Sequence, residues 1–463
     1  MFIFLLIYII SFIVSLREVL KGNAQGVLVF MIFGLSMYYT AMSVAFTLGL
    51  KDIIPIFQVF KEVLILSLLI LNIVTLKYRP RLHLIDYAIF AYFLYLVAYA
   101  ILPIGEQSFS ERLVALKSNS FYLVVYFAAR LMDPRKIYIS KYFNFIILLT
   151  IATGLVLIGE LLVGRQLQTF TGFADYSYYF FNFEPGGHFG LNWTFESDGG
   201  TPRFASFFTS PLEHAAATLL ALSVIAGLYT SDDNKLTINN MGLLAFGSTI
   251  LSIIFAISRA PLISYFLVIY VYALITKKKF ITHTIHAAAG LVVIYFIYLF
   301  AKFEQTNNSL LEVAMNTVDF SDPSSVGHLV QWAEGVLAII EHPMGLGLGS
   351  SGRIGGSLGE NVGGENQFII IGVQTGLVAL FLYLSIYVMF IGTGFKWLNR
   401  LKGKERKLCL VVLLLKISFL IPLMTSEVES SSYISYMNWF LSGLLISVVM
   451  RTETNQILPV NDN

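Results

Sequence analysis

The sequence predicts an all-α protein that crosses a membrane many times, with about 12 to 14 transmembrane helices. Apolar residues make up 57% of the 463 residues and charged residues only 13%, about half the charged share of a soluble domain. Mean hydropathy is +0.75, and the apolar residues form segments as long as a bilayer-spanning helix. This combination excludes a soluble globular enzyme, a disordered chain and a fibrous protein.

Thirteen apolar segments have the length and composition of a membrane helix, and together they form a single predicted transmembrane domain, 1–463. In chain order the segments are 1–16, 27–50, 53–76, 85–102, 118–132, 143–163, 214–230, 241–258, 261–275, 287–301, 367–394, 408–427 and 437–450. The first lacks the basic start and the small-residue cleavage site of a signal peptide, so it is counted as a span. The single cysteine, Cys409, excludes a disulfide framework and a cysteine-based metal site.

Lysine and arginine are distributed unevenly between the connecting segments, which indicates the orientation of the helices. The segment 395–407 carries six basic residues and is taken as cytoplasmic. Alternation from there places 19 basic residues on the cytoplasmic side, 8 on the outer side and 3 inside spans. The N-terminus is then expected outside and the C-terminus inside.

Two connecting segments on the outer side are much longer than the others: 164–213 and 302–366. Long segments without repeats are usually functional or disordered. Both are rich in aromatic and apolar residues, which disordered chains lack. We therefore expect two folded extracytoplasmic loops on a helical bundle. The sequence shows no internal repeat, which weighs against a transporter built from inverted repeats.

The first loop contains fourteen aromatic residues, among them Trp193. One interpretation is a belt of aromatic rings at the membrane interface. The other is a binding cleft in which flat rings stack on the apolar faces of sugars.

Two arginines are predicted to lie at the outer membrane boundary. Arg203 leads into the seventh helix. It is expected either to pair with Glu213 or Asp198, or to bind a phosphate through its forked guanidinium group. Arg259 lies in the tight connection between the eighth and ninth helices. A charge at that depth is costly unless it reaches the interface or is paired, for instance with an anionic lipid headgroup.

The second loop is predicted to contain an amphipathic helix over 325–342, because apolar residues recur at helical spacing. Ser324 or Ser325 is the expected cap, His328 lies one turn from Trp332, and a proline at position 343 ends the helix. The apolar face is expected to contact the membrane or the helical bundle.

A glycine-rich stretch follows, with nine glycines between Gly345 and Gly364. Such a stretch lets the backbone turn sharply and lets N–H groups approach a ligand. It is neither a Rossmann nor a P-loop motif, because no strand precedes it and no Gly-Lys-Ser/Thr follows it. Glu365 and Asn366 come next, at the start of the eleventh helix. A carboxylate pair of the glycoside-hydrolase kind, Glu360 with Glu365, is a weaker alternative.

The order of these motifs resembles the superfamily of bacterial O-antigen ligases and polymerases. The matching elements are the helix with Trp332, the sequence His342-Pro-Met-Gly-Leu-Gly347, the glycine-rich stretch, Glu365-Asn-Gln-Phe368, Gly372 and Gly376-Leu377. The segments around Arg203 and Ser258-Arg259 are similar to that family's patterns as well.

The resemblance implies a membrane-embedded glycosyltransferase with a GT-C-like helical bundle, which inverts the anomeric configuration without a metal or other cofactor. Its donor is expected to be an oligosaccharide on undecaprenyl pyrophosphate. A polymerase joins such repeat units into an O-antigen, capsule or exopolysaccharide, whereas a ligase transfers the glycan to the lipid A–core oligosaccharide. The implied location is the cytoplasmic (inner) membrane of a bacterium, with the active site on the periplasmic or extracellular face.

Two departures from the family pattern matter for the activity. The helix before Trp332 usually carries Arg where this chain has His328. The family's ligases usually carry His where this chain has Glu365. That histidine is presumed catalytic in the ligases, so its replacement favours a polymerase.

The leaving group of this reaction is a pyrophosphate, on which negative charge accumulates. Arginines stay charged and bind phosphate oxygens through two N–H groups, so Arg203, Arg259 and Arg353 are the expected pyrophosphate-binding residues. A base takes the proton of the acceptor hydroxyl as the bond forms; Glu365 is the candidate and His328 the alternate. The other interpretation of Glu365 is a cap of the following helix, because a carboxylate at a helix N-terminus is stabilised by about 0.3–1 kcal/mol.

Three further residues, Trp193, Trp332 and Asn366, are expected to bind the glycan or the acceptor. No cluster of carboxylates and histidines has metal-binding spacing, so no metal is expected. The expected partners are the lipid-linked oligosaccharide, membrane lipid and a chain-length regulator protein, and no nucleic acid is expected.

Other classes of protein stay open. A ligase and a peptidoglycan glycan-strand polymerase are the alternative enzymes. A flippase for lipid-linked oligosaccharides is the leading non-enzyme, but it predicts charges along the spans and needs no large folded outer loop. A purely structural role does not explain the two arginines at the outer boundary.

Overall fold

The fold is that of a computed structural model, which describes residues 1–76, 80–197, 200–302, 323–359 and 361–457. The helices of at least seven residues within these ranges are α1 (Phe2–Leu20), α2 (Ala24–Thr47), α3 (Ile54–Val74), α4 (Leu84–Ile101), α5 (Phe109–Arg130), α6 (Ile139–Val163), α7 (Phe173–Phe181), α8 (Pro211–Tyr229), α9 (Asn240–Phe255), α10 (Arg259–Ile275), α11 (Lys279–Lys302), α12 (Pro323–Glu341), α13 (Gly352–Leu358), α14 (Gln367–Leu398), α15 (Gly403–Phe419) and α16 (Ser432–Ile457).

Each of the thirteen predicted membrane helices has a counterpart in this series, and several extend beyond the apolar segment that predicted them. Nine helices of the described ranges are long and apolar enough to cross a membrane: α1 to α4, α6, α8, α14, α15 and α16. Another three, α9 to α11, contain shorter apolar segments. α5 is not among these helices, because its four charged residues and its serines make it less apolar. The prediction of an all-α polytopic membrane protein is confirmed.

Three helices lie at the centre of the bundle. The apolar windows of α2, α8 and α16 are 83%, 89% and 94% buried, whereas that of α3 is only 28% buried. α16 packs along α5, and α15 packs along α8. A Cβ atom at Gly443 of α16 would lie 2.4 Å from the carbonyl oxygen of Tyr126, so a small residue sets this close helix packing, as is usual in membranes.

A buried ion pair joins α4 to α5. The guanidinium group of Arg130 lies 3.0 Å from the carboxylate of Asp86, and the Tyr126 hydroxyl donates to the same carboxylate at 2.6 Å. Charges buried in a helical bundle need such partners, because desolvation of an unpaired charge is costly. Arg130 therefore has a structural role away from the outer loops.

The start of the glycine-rich stretch forms backbone hydrogen bonds with a break in α14. Gly376 has φ 77° and ψ −177°, so the helix is interrupted there. Backbone N–H groups of Leu346 and Gly347 donate to the carbonyls of Val373 and Gln374, and Leu377 N–H donates to Pro343 O. Polar backbone at membrane depth must be paired within the protein, and the beginning of the glycine-rich stretch provides that pairing. Its first N–H groups are thus used by the fold, which differs from the expected approach to a ligand.

Candidate functional site

The first outer loop is attached to the bundle through a carboxylate at the end of α6. Glu160 accepts hydrogen bonds from the backbone N–H of Leu167 at 2.7 Å and of Ser206 at 3.0 Å. The Gln168 side chain donates to the carbonyls of Ser206 and Phe208. These bonds fix the segment that carries Arg203.

Arg203 and Arg259 belong to the same corner of the molecule. Arg203 Nε donates to the carbonyl of Ala256 at 3.0 Å, and Phe204 N–H donates to Phe255 O at 3.1 Å. Ala256 lies three residues before Arg259, which begins α10 and is exposed. The predicted tight connection between two helices is present, and it brings both arginines to one turn.

Of the two acidic residues considered as partners of Arg203, Glu213 forms hydrogen bonds with other residues. Glu213 accepts hydrogen bonds from the Thr209 N–H at 2.9 Å and from the Ser431 hydroxyl at 2.6 Å. Asp198 lies outside the described residues. The carboxylate of Glu213 therefore holds the connection between α15 and α16 against the start of α8.

The helix α14 is capped by Asn366, and Glu365 precedes the cap. The Asn366 side-chain oxygen accepts hydrogen bonds from the N–H groups of Phe368 at 3.0 Å and Ile369 at 3.3 Å. An N-cap side chain of this kind stabilises a helix by about 1 kcal/mol. Asn366, proposed from the sequence as a glycan ligand, is buried and its oxygen serves the helix. The cap hydrogen bonds of α14 are thus made by Asn366 and not by Glu365.

Glu365 lies within electrostatic range of both His328 and Arg203. Its side chain is accessible, but the surrounding protein displaces water and raises the pKa of its carboxyl group. Electrostatic interactions with His328 and Arg203 act in the opposite direction. The structure thus brings together three residues that the sequence proposed from three different segments.

The position of His328 follows from the packing of α12 on the start of α14. Gly335 packs against Gly363 and the side chain of Ile369, and Gln331 packs against Gly364. His328 lies one helical turn before Gln331. The predicted amphipathic helix is present within two residues of its predicted bounds, although position 322 before it lies outside the described residues.

The two predicted tryptophan ligands occupy different surroundings. Trp332 is half-buried against the cluster of Ile339, Ile369 and Val373. Trp193 is 75% exposed on a turn of the first loop and packs beside Gly186. Trp332 therefore helps to attach α12 to α14, whereas Trp193 has a free ring face.

Arg353, at the start of α13, is surrounded by aromatic rings. Its guanidinium group donates to the Tyr39 hydroxyl at 3.0 Å and lies 5.4 to 5.7 Å from the ring centres of Tyr39, Phe181 and Phe183. Its backbone N–H donates to Glu427 at 2.8 Å. The two long outer loops therefore touch here, at a place distinct from the contacts of Arg203 with Ala256.

Sequence analysis missed two acidic residues of the connection between α15 and α16. Glu427 interacts electrostatically with both Arg353 and Glu365, and burial raises the pKa of its carboxyl group. Glu429 is buried and accepts hydrogen bonds from Tyr383 and Trp439. The sequence does carry a signal, because Glu427 at the end of the apolar segment 408–427 and Glu429 just after it are carboxylates among serines.

Within the described ranges, no group of three or more histidine, cysteine, aspartate or glutamate side chains is placed to hold a metal ion. Glu360, the proposed second member of a carboxylate pair, lies outside those ranges, so that pairing stays a hypothesis.

Comparison with known proteins identifies the domain that carries most of this site. Residues 244–384 match the family described as O-antigen ligase. The matched region contains Arg259, His328, Arg353 and Glu365, whereas Arg203 precedes it. No curated protein matches the chain. This match to part of the chain confirms the resemblance of its sequence to the superfamily of O-antigen ligases and polymerases.

Proposed function

We propose that this protein is a membrane glycosyltransferase that polymerises oligosaccharide repeat units carried on undecaprenyl pyrophosphate. The product is a surface polysaccharide, made at the outer face of the bacterial cytoplasmic membrane. The observation that carries the proposal is the grouping of Glu365, His328 and Arg203, with Arg203 hydrogen-bonded to the turn that leads to Arg259. A carboxylate next to cations suits a transfer in which one substrate loses a proton and the other loses a pyrophosphate.

In this mechanism Arg203 and Arg259 bind the pyrophosphate oxygens of the donor. Charge accumulates on these oxygens as the bond to the anomeric carbon breaks, and a fixed guanidinium group stabilises it. The attachment of Arg203 to Ala256 keeps its side chain in position before the substrate arrives.

Glu365 takes the proton of the acceptor hydroxyl as the new glycosidic bond forms. Its raised pKa makes the ionised carboxylate a stronger base than an ordinary carboxylate, which general-base catalysis favours. The acceptor oxygen attacks the face opposite the pyrophosphate, so the anomeric configuration is inverted. No metal enters these steps, because the arginines neutralise the leaving group.

A polymerase is favoured over a ligase because Glu365 stands where ligases of this superfamily usually carry a histidine. Both enzymes share the donor, so the arginines support either. A flippase for the same lipid needs to bind the pyrophosphate but not to remove a proton, and Glu365 argues against it.

Transfer by the purified protein tests the proposal. The protein in lipid nanodiscs is incubated with one defined undecaprenyl-pyrophosphate oligosaccharide, and the products are separated by gel electrophoresis. A ladder spaced by one repeat unit supports the polymerase. A single transfer that requires added lipid A–core supports the ligase, and unchanged lipid-linked oligosaccharide in both reactions contradicts both.

A further inference from the structure

A pocket of about 390 Å³ lies where Arg353 meets the aromatic rings of the first long loop. Helices α2, α5, α7 and α13 and the connection between α15 and α16 enclose it. The residues that matter for its chemistry are Tyr39, Glu111, Phe181, Phe183, Arg353 and Ser430. We refer to it as the aromatic pocket.

Aromatic rings form one wall of this pocket. Phe181 and Phe183 are stacked with ring centres 6.1 Å apart, and the Tyr39 ring centre lies 6.0 Å from that of Phe181. Flat ring faces pack well against the apolar C–H faces of sugars. A pocket with an apolar wall and a few polar groups is typical of a small-molecule site.

Serine hydroxyls supply hydrogen-bonding capacity at the rim. Ser357 and Ser430 each donate to a backbone carbonyl at 2.7 Å, those of Ile354 and Glu427 respectively. A hydroxyl that donates its own proton keeps lone pairs to accept a hydrogen bond. Both oxygens can therefore accept hydrogen bonds from the hydroxyls of a bound ligand.

The charge balance of the pocket fits a neutral ligand. Arg353 is within electrostatic range of Glu427 and Glu213, and Glu111 also lines the pocket. Carboxylates therefore surround the positive charge of Arg353. A pyrophosphate, which carries several negative charges, is a poor match for this environment.

The pocket adjoins Glu365 through Glu427. Glu365 interacts electrostatically with Arg203 and with Glu427, and Glu427 interacts with Arg353. These interactions connect Glu365 to Arg353 in the wall of the pocket. In an inverting transfer the acceptor approaches opposite the leaving group, so a pocket whose lining does not include Arg203 or Arg259 suits the acceptor.

We propose that the aromatic pocket binds a neutral sugar ring of the acceptor glycan, with Arg353 serving this pocket rather than the donor pyrophosphate. The assignment of this sugar to the acceptor rests on the proposed function, whereas the binding of a sugar by the pocket does not.

Direct binding tests the pocket without any transfer reaction. Methyl glycosides of glucose, galactose and N-acetylglucosamine are added to the full-length protein in nanodiscs, and contact is followed by saturation-transfer difference NMR. We expect at least one glycoside to bind, about tenfold more weakly in F181A/F183A. Ser357→Trp, which fills the pocket from an exposed position, should weaken binding similarly. Tyr178→Ala, on the exposed part of the same helix α7, serves as the matched control.

Inorganic pyrophosphate in the same samples distinguishes the two ligand classes. We expect it to leave the glycoside signal unchanged. Displacement of the glycoside by pyrophosphate, equal binding by Ser357→Trp, or no binding of any glycoside overturns the proposal. In the transfer reaction, Ser357→Trp should raise the KM for the acceptor about tenfold with little change in the KM for the donor. A wild-type protein that binds glycosides but transfers none contradicts the proposed function alone.

Discussion

At the scale of single residues, the structure assigns the helix cap to Asn366. The sequence alone did not show which of Asn366 and Glu365 caps the helix. A carboxylate before a helix is stabilised by the helix dipole, typically by about 0.3–1 kcal/mol, so capping was a reasonable role for Glu365. The hydrogen bonds of the cap belong to Asn366 instead. Glu365 is therefore available to interact with His328, Arg203 and a substrate.

Replacing Glu365 by glutamine should remove the base and keep the fold. We expect kcat to fall about 10²–10⁴-fold, measured as polymer formed per unit of purified protein. Glu334→Gln, an exposed change on α12, is the control for loss of a carboxylate. Near-normal turnover of Glu365→Gln would remove this residue from the mechanism, and His328 then becomes the candidate base.

The pH dependence of kcat/KM should report the raised pKa of Glu365. The base works only when ionised, so activity falls as the pH drops through its pKa. Burial raises that pKa, which places the acid limb above the ordinary value of about 4.3. His328 lowers the pKa of Glu365, so His328→Gln should move the limb to higher pH. An acid limb that stays in place in His328→Gln contradicts this coupling.

The two arginines of the helix junction should resist substitution even by lysine. Arg203→Lys and Arg259→Lys each keep a positive charge but lose the forked pair of N–H donors. We expect the transfer rate to fall roughly a hundredfold or more in each. Arg165→Lys, an exposed change in the first outer loop, should be neutral. Normal polymer from both variants at normal protein levels would show that these arginines do not bind the pyrophosphate.

At the scale of elements, the break in α14 explains why glycines gather before it. A Cβ atom at Gly345 would lie 2.7 Å from the backbone nitrogen of Gly376, and one at Gly347 would lie 2.3 Å from the carbonyl oxygen of Ile104. The Tyr99 hydroxyl also donates to the carbonyl of Met344. Close backbone contact, rather than ligand access, accounts for these first glycines.

Gly376→Ala should therefore destabilise the protein. Its φ of 77° and ψ of −177° are nearly restricted to glycine, at a cost of about 1–3 kcal/mol for another residue, and its new Cβ would meet the Pro343 carbonyl at 2.4 Å. Gly392→Ala is the matched control, since no atom lies within 4 Å of the Cβ position in the same helix. We expect a lower Tm in detergent only for Gly376→Ala; equal Tm values would contradict the described break.

At the scale of the whole molecule, three segments far apart in the sequence enclose one region. Phe181 of the first long loop and Arg353 of the second line the aromatic pocket together with Ser430 of the last connection. The charged series from Arg203 to Glu427 runs beside them. The orientation predicted from basic residues places all of these segments on the outer side of the membrane.

Labelling of introduced cysteines tests that orientation. Cys409 is buried, so background labelling should be low. Ser357→Cys and Tyr178→Cys are exposed positions in the two loops and should react with an impermeant maleimide on intact cells. Lys402→Cys, exposed between α14 and α15, should react only after the membrane is permeabilised. Labelling of the two loops from opposite sides would contradict the topology.

The sequence by itself determined the class of the protein, the positions of its membrane helices and the amphipathic helix before the glycine-rich stretch. These features depend on the spacing of apolar residues and on turn-forming residues, which act between near neighbours along the chain. It also indicated the arginine, histidine and glutamate residues of the site, because ionisable side chains near membrane helices are costly unless they have a partner or a function.

Only the tertiary structure decided which of these residues meet. Arg353 binds a tyrosine 314 positions away, Glu427 enters the site from a short connection, and Asn366 rather than Glu365 caps α14. The physical reason is that the partners of a polar side chain are set by helix packing in three dimensions, and the local pattern of a sequence does not contain the distances between helices.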